Sequence, residues 1–276
     1  MAGRKNRKCM LDCRVRWGLM ALGIRDLFGW IVTDCPLCQG PCSHGKLCEG
    51  CWRDTFVQRQ QRALCIGCAS DLGDAGHFKP FRIPSGGYVR QMCRPCQRRP
   101  APYAWVDCAL DGWFPEALML DRFSKQRTDL SLAPVLADLV WQSFQNLKRS
   151  VPAVQAPDCW IALPATERQL ERCRCSPSHE LARALARLSA LPLRSGWMAA
   201  NDSSREACNT VADVSVSYKV CGRSVGLVLD QLDSLDPVAS VARALRVAGA
   251  RQVVVVCAAR NHSLWQNHHH VSCDPG

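Results

Sequence analysis

The sequence has no long apolar run. No stretch approaches the ~18 uninterrupted apolar residues that a membrane-spanning helix needs. Near the N-terminus, one cysteine and four charged residues interrupt the apolar positions: Cys9, Asp12, Arg14, Arg16 and Arg25. The apolar core of a signal peptide is therefore missing as well. We expect neither membrane insertion nor secretion, so a cytoplasmic protein is predicted.

Acidic residues are few relative to basic ones. The 276 residues include 24 Asp and Glu against 35 Lys and Arg, which gives a net charge of +11, and most of the basic residues are arginines. Because the guanidinium group forms paired hydrogen bonds with phosphate, nucleic acid is one candidate partner, although many basic proteins use such charge only for solubility. The 47% of hydrophobic residues indicates a folded globular protein rather than a disordered chain.

Cysteine, in contrast, is abundant. Nineteen cysteines would form disulfides in a secreted protein and bind metal in a cytoplasmic one. The missing signal peptide favours metal binding. Eight of the cysteines form four Cys-x-x-Cys pairs: Cys35 and Cys38, Cys48 and Cys51, Cys65 and Cys68, and Cys93 and Cys96.

The spacing of these pairs predicts two zinc ions. Two thiolates separated by two residues bind one ion from a single turn, and two such turns complete the tetrahedral sulfur shell that Zn²⁺ prefers. A sequential grouping of the pairs is the simplest, and the spacing also allows an interleaved one. Cys42 and His44 lie between the first two pairs and are alternative ligands. A redox role is disfavoured because redox Cys-x-x-Cys motifs normally occur singly.

The positions of the cysteines and prolines divide the chain into four parts. We expect a basic N-terminal extension at 1–30, a double zinc ribbon at 31–100, an α/β domain at 101–260 and a disordered tail at 261–276. The ribbon has few large aliphatic residues, so metal would supply the stability that its core cannot. The proline-containing segment 98–105 suits a linker or a domain entry.

Apolar periodicity beyond residue 100 predicts an α/β fold. Apolar residues spaced by three and four predict helices over 130–147, 181–191 and 238–248. Short apolar runs predict strands over 160–163, 224–229 and 251–259. The last strand, helix and strand form a βαβ unit, which implies a parallel sheet covered on both faces.

This order of features resembles the ComF/GntX-type competence proteins, in which a double zinc ribbon precedes a phosphoribosyltransferase-like domain. Nearly the whole chain is covered. Besides the cysteine pairs, the resemblance is carried by ALMLDRFSKQRTDLSLAPVLADLV (117–140), DCWIALPATERQLER (158–172), Arg205, Asn209 and VGLVLDQLDSLDPVASVARALRVAGARQVVVVCAAR (225–260). The family's role implies that the protein handles incoming single-stranded DNA in the cytosol during natural transformation, beside a competence helicase or a recombination loader.

The resemblance also implies a binding loop for phosphoribosyl pyrophosphate (PRPP) and Mg²⁺. Relatives end a strand with two acidic residues and follow it with a Thr-Thr-Gly-type loop; here Asp230, Asp233 and Ser234 take the PRPP-binding positions, and Leu229 replaces the first acid. Leu235 replaces the glycine that lets the backbone approach a phosphate, and Asp233 and Asp236 add negative charge. A weak or inactive enzyme is therefore expected, with no catalytic residue assigned.

Clusters of basic residues give the nucleic-acid hypothesis its candidate contacts. Arg122, Lys125 and Arg127 lie beside Phe123 in the sequence. A second cluster surrounds the last cysteine pair, near Tyr103 and Trp105: Arg90, Arg94, Arg98 and Arg99. Cations follow phosphates while aromatic faces stack on bases, which suits single strands of any sequence. The alternative is a solvated basic face over core aromatics.

Two other functional classes remain open. The first is an active PRPP-dependent phosphoribosyltransferase, which requires the altered loop to bind PRPP and Mg²⁺. The second is a protein-interaction adaptor, in which the zinc ribbon docks a motor or helicase and no nucleic acid is contacted.

Overall fold

A computed structural model describes much of the chain between Val32 and Asn261. The described residues are 32–43, 46–57, 59, 64–72, 92–112, 116–126, 129–151, 154–165, 170, 175–194, 197–199, 214–216 and 220–261. Several predictions concern residues outside these ranges: the extension 1–30, tail residues 262–276, His44, Arg90, Arg127, Arg205 and Asn209. For Lys125 the backbone is described and the side chain is not.

The cysteine-rich part contains short elements. Strands β1 (Val32–Asp34) and β2 (Pro41–Ser43) pair antiparallel. Helix α1 (Glu49–Cys51) continues into the π-helical turn Trp52–Val57, and helix α2 (Arg94–Arg98) follows the last cysteine pair along the chain. Each of these helices begins directly after the first cysteine of a pair.

Helices and strands alternate in the second part. The strands are β3 (Trp105–Asp111), β4 (Cys159–Ala162), β5 (Leu193–Arg194), β6 (Trp197–Ala199), β7 (Val214–Val216), β8 (Ser224–Leu232) and β9 (Gln252–Arg260). The helices are α3 (Glu116–Asp121), which continues as the π-helical turn Arg122–Gln126, α4 (Ala133–Ser150), α5 (Pro177–Ser189) and α6 (Leu235–Val247).

Five parallel strands form the main sheet of the described residues, in the order β3-β9-β8-β4-β5. The central strands β8 and β9 are buried on both faces, which explains their continuous apolar sequences. Helices α4 and α5 cover one face, and α6 covers the other. The predicted α/β class with a parallel sheet is therefore confirmed.

The crossovers reverse direction between β4 and β8. From β4 the chain moves outward to β5, whereas from β8 it moves to β9 on the opposite side. In open parallel sheets such a switch point creates a crevice beyond the carboxyl ends of the two strands, where ligands commonly bind. Of the residues that the resemblance assigned to PRPP, Asp230 lies near the carboxyl end of β8, and Asp233 and Ser234 follow this strand.

The predicted helices and strands are present, with small shifts at their ends. The helix predicted over 130–147 is a 3₁₀ turn at Leu130–Leu132 followed by α4, and β8 extends three residues beyond its predicted end. Strand β3 was not predicted. The segment predicted as a linker or domain entry leads directly into β3, because Tyr103 is buried and Trp105 already pairs with Val254.

The cysteine-rich part packs against the sheet. Cys35, Leu47 and Phe56 belong to the same apolar core as α4. The Val106 backbone N–H donates to the Ile66 carbonyl oxygen at 2.8 Å, and the Tyr103 hydroxyl donates to the Gly67 carbonyl oxygen at 2.9 Å. Among the described helices, none is both long and apolar enough to cross a lipid bilayer.

Candidate metal centres and switch-point loop

Two groups of four cysteines in the described residues are arranged to hold a metal ion. Within each group, all four Sγ atoms lie within 4.8 Å of one another. Centre 1 consists of Cys35, Cys38, Cys48 and Cys51, and centre 2 consists of Cys65, Cys68, Cys93 and Cys96. The structure thus has the sequential grouping and not the interleaved one.

Each centre begins with the same tight turn. In residues 35–40, the Cys35 N–H donates to the Gly40 carbonyl oxygen and the Gln39 N–H donates to the Cys35 carbonyl oxygen. Residues 65–70 repeat both bonds, from Cys65 to Ser70 and from Ala69 to Cys65. Gln39 and Ala69 adopt left-handed φ values of 61° and 56°. This turn directs two thiols of a pair to the same side.

A helix start supplies the other two thiols of each centre. Cys48 is the N-cap of α1, and its Sγ accepts a hydrogen bond from the Cys51 N–H at 3.4 Å. Cys93 is the N-cap of α2 and precedes Cys96 by less than one helical turn. Both centres therefore combine a turn pair with a helix-start pair, a repeat that the cysteine spacing alone does not show.

Backbone N–H groups donate to the sulfur atoms in both centres. Cys35 Sγ accepts from the Cys48 N–H at 3.5 Å, and Cys65 Sγ accepts from the N–H groups of Gly67 and Cys93 at 3.3 and 3.2 Å. Burial opposes ionisation of Cys35, but such donors outweigh it and lower its pKa to about 7. Donors of this kind orient and stabilise metal-bound thiolates.

The remaining thiols show why the clusters suit a cation. Burial and the neighbouring thiols raise the pKa of Cys51. Hydrogen bonding among the thiols of centre 2 raises the pKa values of Cys65 and Cys96 and lowers those of Cys68 and Cys93. Four thiolates cannot accumulate in so small a volume unless a positive ion offsets their repulsion. A divalent ion would provide that compensation.

The sulfur spacing fits a tetrahedral site. Zn–S bonds of ~2.3 Å at tetrahedral angles place the sulfur atoms about 3.8 Å apart. The Cys38 and Cys48 Sγ atoms are 3.5 Å apart, and the Cys68 and Cys93 Sγ atoms are 3.8 Å apart. The all-sulfur donor sets are therefore compatible with two zinc ions. Cys42 is outside both groups, and its thiol donates to the Lys46 carbonyl oxygen.

Asp230, the first candidate PRPP residue, is buried under α5. Its Oδ1 accepts a hydrogen bond of 2.6 Å from the Ser178 hydroxyl, and its N–H donates to the same hydroxyl oxygen. Burial raises the pKa of the Asp230 carboxyl, although hydrogen bonds from Ser178 and Ser124 act against that rise. The carboxyl is thus held inside the fold, in an environment that disfavours its charged form.

The other two candidate PRPP residues also make contacts within the fold. The Asp233 carboxylate accepts from the Asn261 side-chain amide at 2.8 Å. The Ser234 hydroxyl caps α6 by accepting from the Asp236 N–H at 3.3 Å. Leu235 packs against the apolar residues of centre 2. The loop at the start of α6 is therefore tied to the cysteine-rich part.

The candidate nucleic-acid residues are only partly described. The Arg122 side chain is 53% exposed and forms an ion pair of 2.7 Å with Asp129. Partial burial of Asp129 tends to raise the pKa of its carboxyl, but hydrogen bonds from Ser131 and Arg122 outweigh burial and lower that pKa. Phe123 is fully buried and Tyr103 nearly so, which places these two rings in the core, as the alternative interpretation expected.

Two buried arginines that the sequence did not single out are prominent in the fold. Arg59 forms an ion pair with Asp111 and donates from Nε to the Cys108 carbonyl oxygen at 2.8 Å. Arg260 is buried at the end of β9. Arg59 belongs to no motif or regular spacing, and Arg260 is only the last residue of the segment 225–260, so the sequence assigned neither of them a role of its own.

The comparisons with known proteins give no family assignment. No protein-family model matches the sequence, and the comparison with curated proteins likewise finds no match.

Proposed function

We propose that this protein is a ComF-like protein of natural transformation that handles incoming single-stranded DNA without transferring phosphoribosyl groups. The observation that carries the proposal is the packing of two tetracysteine centres against a five-stranded parallel α/β sheet. This is the order and kind of architecture that the sequence resemblance implies. A phosphoribosyltransferase-like fold for the sheet domain is part of the proposal.

The eight cysteines would hold two structural zinc ions. When bound, zinc would neutralise the clustered thiolates and cross-link each turn pair to its helix-start pair. All four protein donors in each centre are sulfur, which leaves no open coordination position for catalysis. The role of the metal would therefore be to hold the ribbon against the sheet.

The state of the switch-point loop argues against PRPP transfer. A phosphate site at a helix start needs backbone N–H groups that a ligand can reach. Here the Ser234 hydroxyl occupies the Asp236 N–H in the first turn of α6, Leu235 adds a bulky side chain, and Asp233 and Asp236 are carboxylates that repel a phosphate dianion.

Isothermal titration calorimetry with PRPP and Mg²⁺ separates the proposal from an active transferase. The proposal predicts no heat of binding at millimolar ligand. Saturable heat would instead favour the transferase and would mean that the loop rearranges to release Ser234 from its capping hydrogen bond.

Binding of DNA would depend on phosphate contacts from the basic segment 122–127. Because the Phe123 ring is buried, base stacking at this segment would contribute little, and affinity would depend on salt rather than on sequence. Arg122 already pairs with Asp129, so the test below changes Lys125 and Arg127.

Salt-dependent binding of a short single-stranded oligonucleotide tests this role. Changing Lys125 and Arg127 to Ala should reduce the slope of log affinity against log salt by about 0.7 for each lost phosphate contact. Arg149→Ala is a matched control, since Arg149 is an exposed arginine at the end of α4. An unchanged slope in the double variant would remove these residues as phosphate contacts.

Because the Phe123 and Tyr103 rings are buried and offer no stacking surface for bases, the protein-interaction adaptor is the second candidate function. If the ribbon docks a helicase or motor directly, capture of that partner should be insensitive to nuclease. Capture that is lost on nuclease treatment would favour the DNA-handling role.

A further inference from the structure

Arg260 is a buried cation without a counterion in the described part of the chain. It ends β9, its exposed fraction is 7%, and its Nε and Nη2 atoms are buried without a hydrogen-bond partner. An uncompensated buried charge is strongly destabilising, so a fold that keeps one usually gives it a ligand. The guanidinium group therefore needs a partner from outside the described fold.

A small cavity adjoins this side chain at the carboxyl ends of β3, β8 and β9. Its volume is about 40 Å³. Since one water needs roughly 10–15 Å³ of such space, the cavity has room for a few waters or one small ion, and a nucleobase would not fit. The cavity is lined by Gly112, Ala117, Leu120, Asp121, Gln231, Ala259, Arg260 and Asn261.

The nearby carboxylates have other partners. Asp111 is the neighbour of Arg260 across the strands, but it pairs with Arg59. Asp230 is held by Ser178, and Asp233 by Asn261. Asp121 lines the same cavity, and no ion pair joins it to Arg260 among the described residues. Its negative charge would limit the affinity for an anion without satisfying the guanidinium group.

We propose that Arg260 and this cavity bind a small oxyanion, either free phosphate or the phosphoryl end of a larger ligand. The planar guanidinium group matches two oxygens of such an anion, and its Nε and Nη2 atoms, which are buried without a hydrogen-bond partner, would supply that pair once the side chain turns them toward the cavity. Gln231 is half-buried on the cavity wall and carries an amide suited to a third oxygen. Gly112, Asp121 and Asn261 are only partly buried, so the rest of a larger ligand would lie outside the cavity.

This site adjoins the loop that the resemblance assigned to PRPP, because the side-chain amide of Asn261, which lines the cavity, donates to Asp233 of that loop. The candidate anion ligand is Arg260 at the end of β9, whereas the loop follows β8 and begins α6. The proposal does not depend on the proposed handling of DNA. A protein that binds inorganic phosphate but not PRPP would agree with both the Arg260 proposal and the proposed function.

Phosphorus-31 NMR of the zinc-loaded full-length protein tests the site with inorganic phosphate as the probe. At constant ionic strength, wild type should broaden the phosphate signal in a saturable manner, and Arg260→Met should weaken binding by about tenfold or more because a charge-assisted bidentate contact is lost. Arg243→Met, at an exposed arginine of α6, should bind like wild type. Glycerol 3-phosphate in place of phosphate separates the two sources, since tighter binding of the ester would identify a phosphoryl end group.

A second readout remains informative if Arg260→Met does not fold. Phosphate should raise the unfolding temperature of wild type more than acetate does at equal ionic strength, because only a ligand of the native state stabilises it by mass action. Arg260→Lys, which keeps the charge but loses the planar pair of donors, should show a smaller rise. Absence of saturable phosphate binding to wild type, or equal binding by wild type and a folded Arg260→Met variant, would overturn the proposal.

Discussion

At the scale of single residues, Arg59 connects the cysteine-rich part to the sheet. It lies in the sequence between the two metal centres, is 2% exposed, and contacts both Asp111 and the Cys108 carbonyl oxygen of β3. A buried guanidinium group is tolerated only where such partners compensate for its lost hydration. The ion pair therefore fixes how the cysteine-rich part meets the β3 edge of the sheet.

Asp111→Asn should destabilise the protein strongly. The substitution leaves the Arg59 charge buried with only neutral partners, so the free energy of unfolding should fall by about 3 kcal/mol. Urea unfolding of the zinc-loaded protein under reducing conditions measures this change in the free energy of unfolding. Asp138→Asn, which changes a half-buried acid that accepts from Gln142 on α4, should cost far less. Equal losses in the two variants would mean that the ion pair does not carry this stability.

Residue chemistry decided how much of the site could be predicted. The eight cysteines of the two candidate centres were identifiable because a metal site demands a rare residue type at a fixed spacing. Arg59 and Arg260 were not, because a buried arginine has no sequence pattern and depends on neighbours more than forty residues away or on another strand. The burial of Phe123 was not predictable from the sequence either, because tertiary packing decides whether this ring lies in the core or on a DNA-facing surface.

At the scale of elements, each metal centre is built from one tight turn and one helix start. Gly67 lies in the turn of centre 2, where a Cβ atom would sit 2.9 Å from Cys96 Cβ and 3.0 Å from Cys96 Sγ. Gly50 also directly precedes the second cysteine of a pair, but it lies in the helix-start pair of centre 1, and a Cβ there would meet nothing within 4 Å. The two glycines therefore allow a matched comparison.

Gly67→Ala should loosen zinc at centre 2 only. The added methyl group must displace Cys96 from its position, and shifts of this kind around a metal site typically cost about tenfold or more in affinity. Zinc release to a competing chelator should become biphasic, with one ion per chain released faster. Gly50→Ala should release zinc as wild type does. Identical release from both variants would contradict the close packing at Cys96.

Elements were predictable where their periodicity was strong. Strands β8 and β9 and helices α4, α5 and α6 follow from apolar runs and three-to-four spacing. Strand β3 was not predicted because Asp107 and Asp111 interrupt its apolar sequence and because it follows a proline-containing segment, which is typical of a linker or domain entry. Its place in the sheet is fixed instead by pairing with β9, a contact across about 150 residues of sequence.

At the scale of the whole molecule, the cysteine-rich part and the sheet share a core. Cys35 of centre 1 packs in the same cluster as Leu136 and Val140 of α4, and Leu235 of α6 packs against centre 2. We therefore expect metal binding to be coupled to the stability of the sheet domain, because centre 1 shares an apolar core with α4 and Leu235 of α6 packs against centre 2.

Removal of metal should destabilise the sheet domain as well as the cysteine-rich part. A strong chelator should lower the temperature at which far-ultraviolet circular dichroism reports loss of helix, by about 2–4 °C for each kcal/mol of stability lost. Adding zinc back should restore the transition. A helical transition that is unaffected by chelation would contradict the shared core.

The stoichiometry of bound zinc tests the central claim most directly. Protein purified without added metal under reducing conditions should contain two zinc ions per chain, with all eight cysteines of the two centres protected from alkylation until a chelator is added. Protein that is fully folded and metal-free, with the same eight sulfur atoms joined in disulfides, would contradict the account.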